Sequence, residues 1–160
     1  TGAGFPGIPL KIAFPHIRLT LLDALKKRLT FLSDVVEKLH LRDVELIHGR
    51  AEELGHHPGH RERYDVAISR AVARLNILSE YCLPFVRTGG VFIAMKGLQA
   101  EQEKQEARSA IRCLGGGQIE EYRFELPDEA GKRTLYTIIK QAATPKAFPR
   151  QPGIPAKQPL

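Results

Sequence analysis

The sequence predicts an α/β chain whose mostly parallel sheet ends in an antiparallel hairpin. Three observations predict it. A glycine turn opens the chain and leads into an apolar helical stretch, strand-length apolar runs then alternate with segments of helical period, and the last two strand-like runs are separated by a short turn. Parallel neighbours need crossovers of about a dozen residues or more, which the helical segments supply, whereas strands joined by a short turn must pair antiparallel or lie apart.

The opening turn is Thr1-Gly2-Ala3-Gly4-Phe5-Pro6-Gly7. Gly2 and Gly4 let the backbone turn tightly and approach a ligand with no Cβ in the way, and the helix that follows presents N–H groups with no intrahelical partner. The spacing Gly2, Gly4, Gly7, with Asp23 near the distance for a ribose-binding acid, suits NAD and other adenosine cofactors alike.

Residues 5–14 read as a short buried helix stopped by Pro15, and residues 18–23 as a strand ending in the Asp23 carboxylate. Across residues 24–40, Leu25, Leu29, Leu32, Val36 and Leu39 recur at helical spacing, which makes an amphipathic helix over the sheet. A strand at 44–47 is followed by Arg50-Ala51-Glu52 at its C-terminal end, then by a polar loop at 55–63 with His56, His57 and His60. Those histidines lack the spacing of zinc ligands, so no metal is expected.

The strand at 64–69 and helix at 72–83 come next, with Leu75, Leu78 and Cys82 on one helix face; Gly89-Gly90 then starts a strand at 91–95. A charged helix at 99–114 is closed by Gly115-Gly116-Gly117, and strands at 118–126 and 134–140 flank a turn at 127–133. Residues 142–160 hold five prolines and no acid, so they read as an extended basic tail, either a disordered end or an arm that touches RNA. The organisation is thus a domain at 1–141 and a tail at 142–160.

The 160 residues are 42% hydrophobic and 26% charged, as in an ordinary globular chain, and no apolar run approaches bilayer length. Cys82 and Cys113 lack metal-ligand spacing and read as reduced core thiols of a cytoplasmic protein. The net charge of +6 suits a polyanionic partner or a solvated basic surface.

The glycine turn, Leu21-Leu22-Asp23 with Lys27-Arg28, Arg50-Ala51-Glu52, Ser69-Arg70-Ala71 and Ala94-Met95-Lys96-Gly97 together resemble the RsmG or GidB family of 16S ribosomal RNA guanine-N7 methyltransferases. Thr144-Pro145-Lys146, Pro149-Arg150 and Pro152-Gly153 in the tail fit it too. The resemblance implies a Rossmann-like class I S-adenosylmethionine-dependent methyltransferase, a monomer acting on 16S rRNA or the small ribosomal subunit. It implies that Gly2, Gly4 and Phe5 lie along the cofactor, that Ala51 and Glu52 take its adenosine end, and that Arg70 completes the site. Chemistry agrees: Asp23 can accept both ribose hydroxyls, and Arg70 can pair with the cofactor carboxylate through its planar fork. The alternatives are a helix N-cap for Asp23 and a solvated strand end for Arg70.

The family's first strand and N-terminal helices fall upstream of Thr1, so the expected sheet lacks its first strand, between the strand ending at Asp23 and the one beginning at Tyr64. Guanine N7 has an in-plane lone pair and no proton, so methyl transfer to it needs no general base. No catalytic residue is assigned; Arg74 and Lys96 are candidates for holding RNA phosphate. The rival classes are an NAD-dependent oxidoreductase and a non-catalytic RNA-binding module.

Overall fold

The computed structural model describes residues 1–70, 72–97, 100–127 and 131–160. Ala71 of the Ser-Arg-Ala motif, Gln99 at the start of a predicted helix and residues 128–130 of the predicted 127–133 turn lie outside the described residues. The chain divides into two compact units, Thr1–Arg50 and Ala51–Leu160.

The first unit runs α1 (Gly7–Ala13), β1 (Leu19–Asp23), α2 (Lys26–Lys38) and β2 (Val44–His48). β1 and β2 pair in parallel, with Leu21 opposite Leu46 and Asp23 opposite His48. Ile8, Leu21, Leu29 and Leu32 form the core, so the predicted stripe on α2 is buried at its middle. Leu25 and Leu39, counted in that stripe, are about half exposed because they flank the helix at its two ends. The first helix also buries one face only: Ile8 and Lys11 are buried, whereas Ile12 and Phe14 are exposed. Lys11 is tolerated inside because its ammonium donates to the carbonyls of Pro15 and Ile17, which follow the helix.

The second unit runs α3 (Ala51–Leu54), β3 (Tyr64–Arg70), α4 (Leu75–Cys82), β4 (Val86–Lys96), α5 (Ala100–Cys113), β5 (Gly116–Glu125), β6 (Lys132–Lys140) and α6 (Ile154–Lys157), with a 3-10 turn at Leu83–Phe85. The strand order is β3-β4-β6-β5. β3 and β4 are parallel and the other pairs antiparallel, so the predicted final hairpin is present, with β6 inserted between β4 and β5. Phe92, Ala94, Tyr136 and Ile138 on one sheet face pack with Leu75 and Leu78 of α4 and Ala107 and Ile111 of α5.

Three expectations change. Gly89 and Gly90 lie inside β4 rather than before it: the register moves from Tyr64 opposite Val86 to Val66 opposite Val91, and a Cβ on Gly90 would stand 2.6 Å from the Asp65 carbonyl. Residues 142–160 are not simply extended, because α6 forms with Pro155 in its first turn, where a missing N–H costs nothing. Cys82 packs against the core as predicted, but Cys113 is exposed near the C-terminal end of α5. Among the described residues, no helix is long and apolar enough to cross a membrane.

Candidate functional site

In the first unit the glycine turn and Asp23 are bonded to each other. Gly2 (φ +60°) donates its N–H to Asp23 Oδ2 at 2.9 Å, and the Thr1 nitrogen reaches the same oxygen at 2.9 Å. Leu25 N–H donates to Oδ1 at 2.9 Å, and Arg28 Nη1 stands 3.4 Å from Oδ2. Burial works against this carboxylate, yet the N–H bonds from Leu25 and Gly2, with that from the Thr1 nitrogen, outweigh it and bring the pKa down to about 2. The N-cap position of α2 belongs to Leu25, not Asp23, although Asp23 supplies the bond to Leu25 N–H that an N-cap side chain makes further along.

The two glycines differ in role. A Cβ on Gly4 (φ +87°) would stand 2.5 Å from Ile8 Cγ1 and 2.8 Å from Leu32 Cδ2, so this residue lets the turn press onto the core. A Cβ on Gly2 would meet nothing within 4 Å. That open side borders a cleft of about 460 Å³ lined by Gly2, Ala3, Leu25, Lys27, Arg28 and Phe31. Phe31, Leu25 and the nearby Phe5 are each about half exposed, which gives the turn an apolar, uncovered flank.

In the second unit Ala51 and Glu52 form the start of α3, immediately beyond the unit boundary. Glu52 is buried and its Oε1 accepts the Gly153 N–H at 3.1 Å. Arg70 is the exposed last residue of β3, opposite Met95. The two phosphate candidates are engaged elsewhere. Lys96, at the end of β4, is 8% exposed; its ammonium pairs with Glu103 Oε2 at 2.7 Å and donates to the Ala73 carbonyl at 2.5 Å. Arg74 pairs with Glu106, so both cations tie their segments to the acidic first turns of α5 instead of standing free. His56 bonds the Pro149 carbonyl and His60 the Tyr64 hydroxyl; among the described residues no three metal-ligating side chains cluster.

Sequence reasoning missed the ion pair of Glu80 with Arg150 and the fully buried Lys140, which bonds the Leu83 and Val86 carbonyls, Thr144 and Glu62. One signal was available. Asn76, Ser79 and Glu80 share the buried side of α4 with Leu75 and Leu78, and a carboxylate in that phase demands a partner.

Comparison with known proteins adds to this geometry. The family model GidB, described as rRNA small subunit methyltransferase G, matches residues 1–129. The chain is 50% identical over 159 residues to the Ribosomal RNA small subunit methyltransferase G of Brevibacillus brevis, covering 99% of this chain and 67% of that relative. Among solved structures, a predicted O-methyltransferase of Agrobacterium tumefaciens matches with a TM-score of 0.70 at 18% identity, over 89% of this chain and 71% of that one. M. jannaschii TYW2 in complex with AdoMet matches with a TM-score of 0.65 at 13% identity, over 88% of this chain and 66% of that one.

Proposed function

The chain belongs to the GidB family of rRNA small subunit methyltransferase G, and on that premise we propose that it transfers a methyl group from S-adenosylmethionine to N7 of a guanine in 16S ribosomal RNA. One observation carries the reading: the family match runs through the glycine turn and Asp23, and these same residues are bonded together beside an open cleft. The open side of Gly2 leaves room for a ligand against the backbone, and the apolar flank of Leu25 and Phe31 suits a flat base.

S-adenosylmethionine, when bound, supplies a sulfonium-linked methyl group to the in-plane lone pair of N7. The chain's own task is to hold and orient. Asp23 keeps one oxygen committed to the turn and offers lone-pair capacity on Oδ1, a charged acceptor for a ribose hydroxyl. Glu52 offers Oε2 at the adenosine end, since Oε1 is taken by Gly153. Arg70 presents a planar fork at a strand end, suited to a carboxylate. None of these groups removes a proton, and positioning with electrostatics carries the rate. The substrate class points to a cytoplasmic protein, and we take it to act as a monomer on free 16S rRNA or the small subunit.

Calorimetric titration with S-adenosylhomocysteine and with NAD, together with methyl incorporation into deproteinised 16S RNA and into small subunits, tests the reading. Binding of NAD in place of S-adenosylhomocysteine overturns it, as does RNA binding without methyl transfer. A single-turnover rate with a rising limb near neutral pH argues against N7 as the nucleophile.

A further inference from the structure

The C-terminal segment is bonded to the second unit at every few residues, and one of its bonds reaches a side chain of the proposed cofactor site. Arg61, in the loop after α3, donates from Nη1 to the carbonyls of Gly55 (2.8 Å) and Phe148 (2.7 Å) and from Nη2 to that of Thr144 (2.7 Å). Thr144 N–H donates to Glu62 Oε1 at 2.7 Å, and its hydroxyl bonds the Leu114 carbonyl at 2.8 Å. Beyond these, Arg150 is anchored on Glu80, whose side chain is 1% exposed. The Arg150 N–H and Nε reach Oε1 at 2.7 and 2.9 Å, and Nη2 reaches Oε2 at 2.7 Å. Gly153 then donates to Glu52.

A buried carboxylate that takes a guanidinium fork and a backbone N–H from one residue fixes that residue in both place and direction. Arg150 is therefore a fixed point, and only a short span separates it from Gly153. Glu52 sits on a helix of 4 residues, too short to hold itself, and its carboxylate turns about several single bonds. The Gly153 bond selects one of those orientations and leaves Oε2 for a ligand.

We propose that residues 144–153 form a positioning strap, in which Glu80 fixes Arg150, Arg150 fixes Gly153, and Gly153 orients Glu52 so that the cofactor binds more tightly without touching the strap. This rests on the placement of Glu52 at the adenosine end. Arg150 and Gly153 are positioning residues in that scheme. By reciprocity, whatever the strap contributes to cofactor binding the cofactor returns to the strap.

In the unaltered protein, hydrogen exchange of the Gly153 amide is measured with and without saturating S-adenosylhomocysteine. The strap requires slower exchange in the complex; equal rates overturn it, and no variant has to fold for that result. Titrations on Arg150→Ala, Arg150→Lys and Glu52→Ala complete the test. Arg150→Ala raises the Kd about tenfold, Arg150→Lys recovers part of the loss, and the cofactor KM rises while kcat at saturation holds. Full-strength binding by Arg150→Ala beside weakened binding by Glu52→Ala overturns the strap and leaves the site reading standing. Full-strength binding by Glu52→Ala overturns the placement of Glu52 itself.

Discussion

Gly2 donates its backbone N–H to Asp23 Oδ2 at 2.9 Å, so the glycine turn and the carboxylate that ends β1 are a single bonded piece. A ligand that lies on the turn therefore meets a carboxylate already oriented by the same backbone. Replacing Asp23 by Ala both removes the acceptor and releases the turn.

Asp23→Ala and Arg70→Ala are each expected to weaken S-adenosylhomocysteine binding by about 1 to 3 kcal/mol, the scale for losing one partner of a charge-assisted hydrogen bond. Titration calorimetry on the two variants measures it. Unchanged affinity in both removes these residues from the site.

The Asp23 carboxylate also makes stability depend on acid. Its pKa is about 2 in the folded chain against an ordinary 3.8, so folding favours the ionised form. The full contribution, about 2 kcal/mol, is present above pH 3.8 and is lost as pH falls from there through about 2, because the unfolded chain takes up the proton first. Denaturant unfolding of the parent and of Asp23→Asn should show a stability gap that closes across this window. A gap that is constant with pH contradicts the prediction.

Tyr136 offers a test in the opposite direction. Its ring is fully buried between the sheet and α5, and its hydroxyl has no hydrogen-bond partner among the described residues. Burial, helped by the negative charges of Glu121 and Glu101 and opposed by the Arg123 guanidinium, raises its pKa to about 12. Tyr136→Phe keeps the shape and removes an unsatisfied polar atom, so it should raise stability by about 1 kcal/mol in equilibrium unfolding. A loss of stability would reveal a partner for the hydroxyl.

The basic tail separates into charges that are available and one that is not. Lys146 and Lys157 are exposed, whereas Arg150 is spent on Glu80. If the tail touches RNA, the double variant Lys146→Ala, Lys157→Ala should lower the slope of log affinity against log salt by about one to one and a half units, while Arg150→Ala leaves the slope unchanged. Filter-binding or fluorescence titrations over a salt series read it directly. Identical slopes in the parent and the double variant leave the tail without a phosphate contact.

Read alone, the sequence determined what depends on neighbours along the chain. Alternation and helical spacing located the longer strands and helices to within about five residues but not the four-residue helices α3 and α6, because side-chain period is a local property that shows only over several residues. The glycine turn and Asp23 were legible for the same reason, since a tight turn and a strand end are each short stretches with marked chemistry. The family motifs were legible as well, being ordered words in the sequence.

Tertiary structure decided what depends on distant residues meeting. No pattern within β5 or β6 says that β6 lies between β4 and β5; that order is seen only once β6 pairs antiparallel with both of them. Glu80 and Arg150 are 70 residues apart, and neither segment names the other, so a charge on a buried helix face and a proline-rich tail could not be joined in advance. Lys96 read either as a candidate for holding RNA phosphate or as a merely solvated cation, yet Glu103 compensates it almost out of solvent. Gly2 and Gly4 were equivalent as letters; only packing turned one onto Ile8 and Leu32 and the other toward the cleft, because a missing Cβ acquires its meaning from the atoms that would have met it.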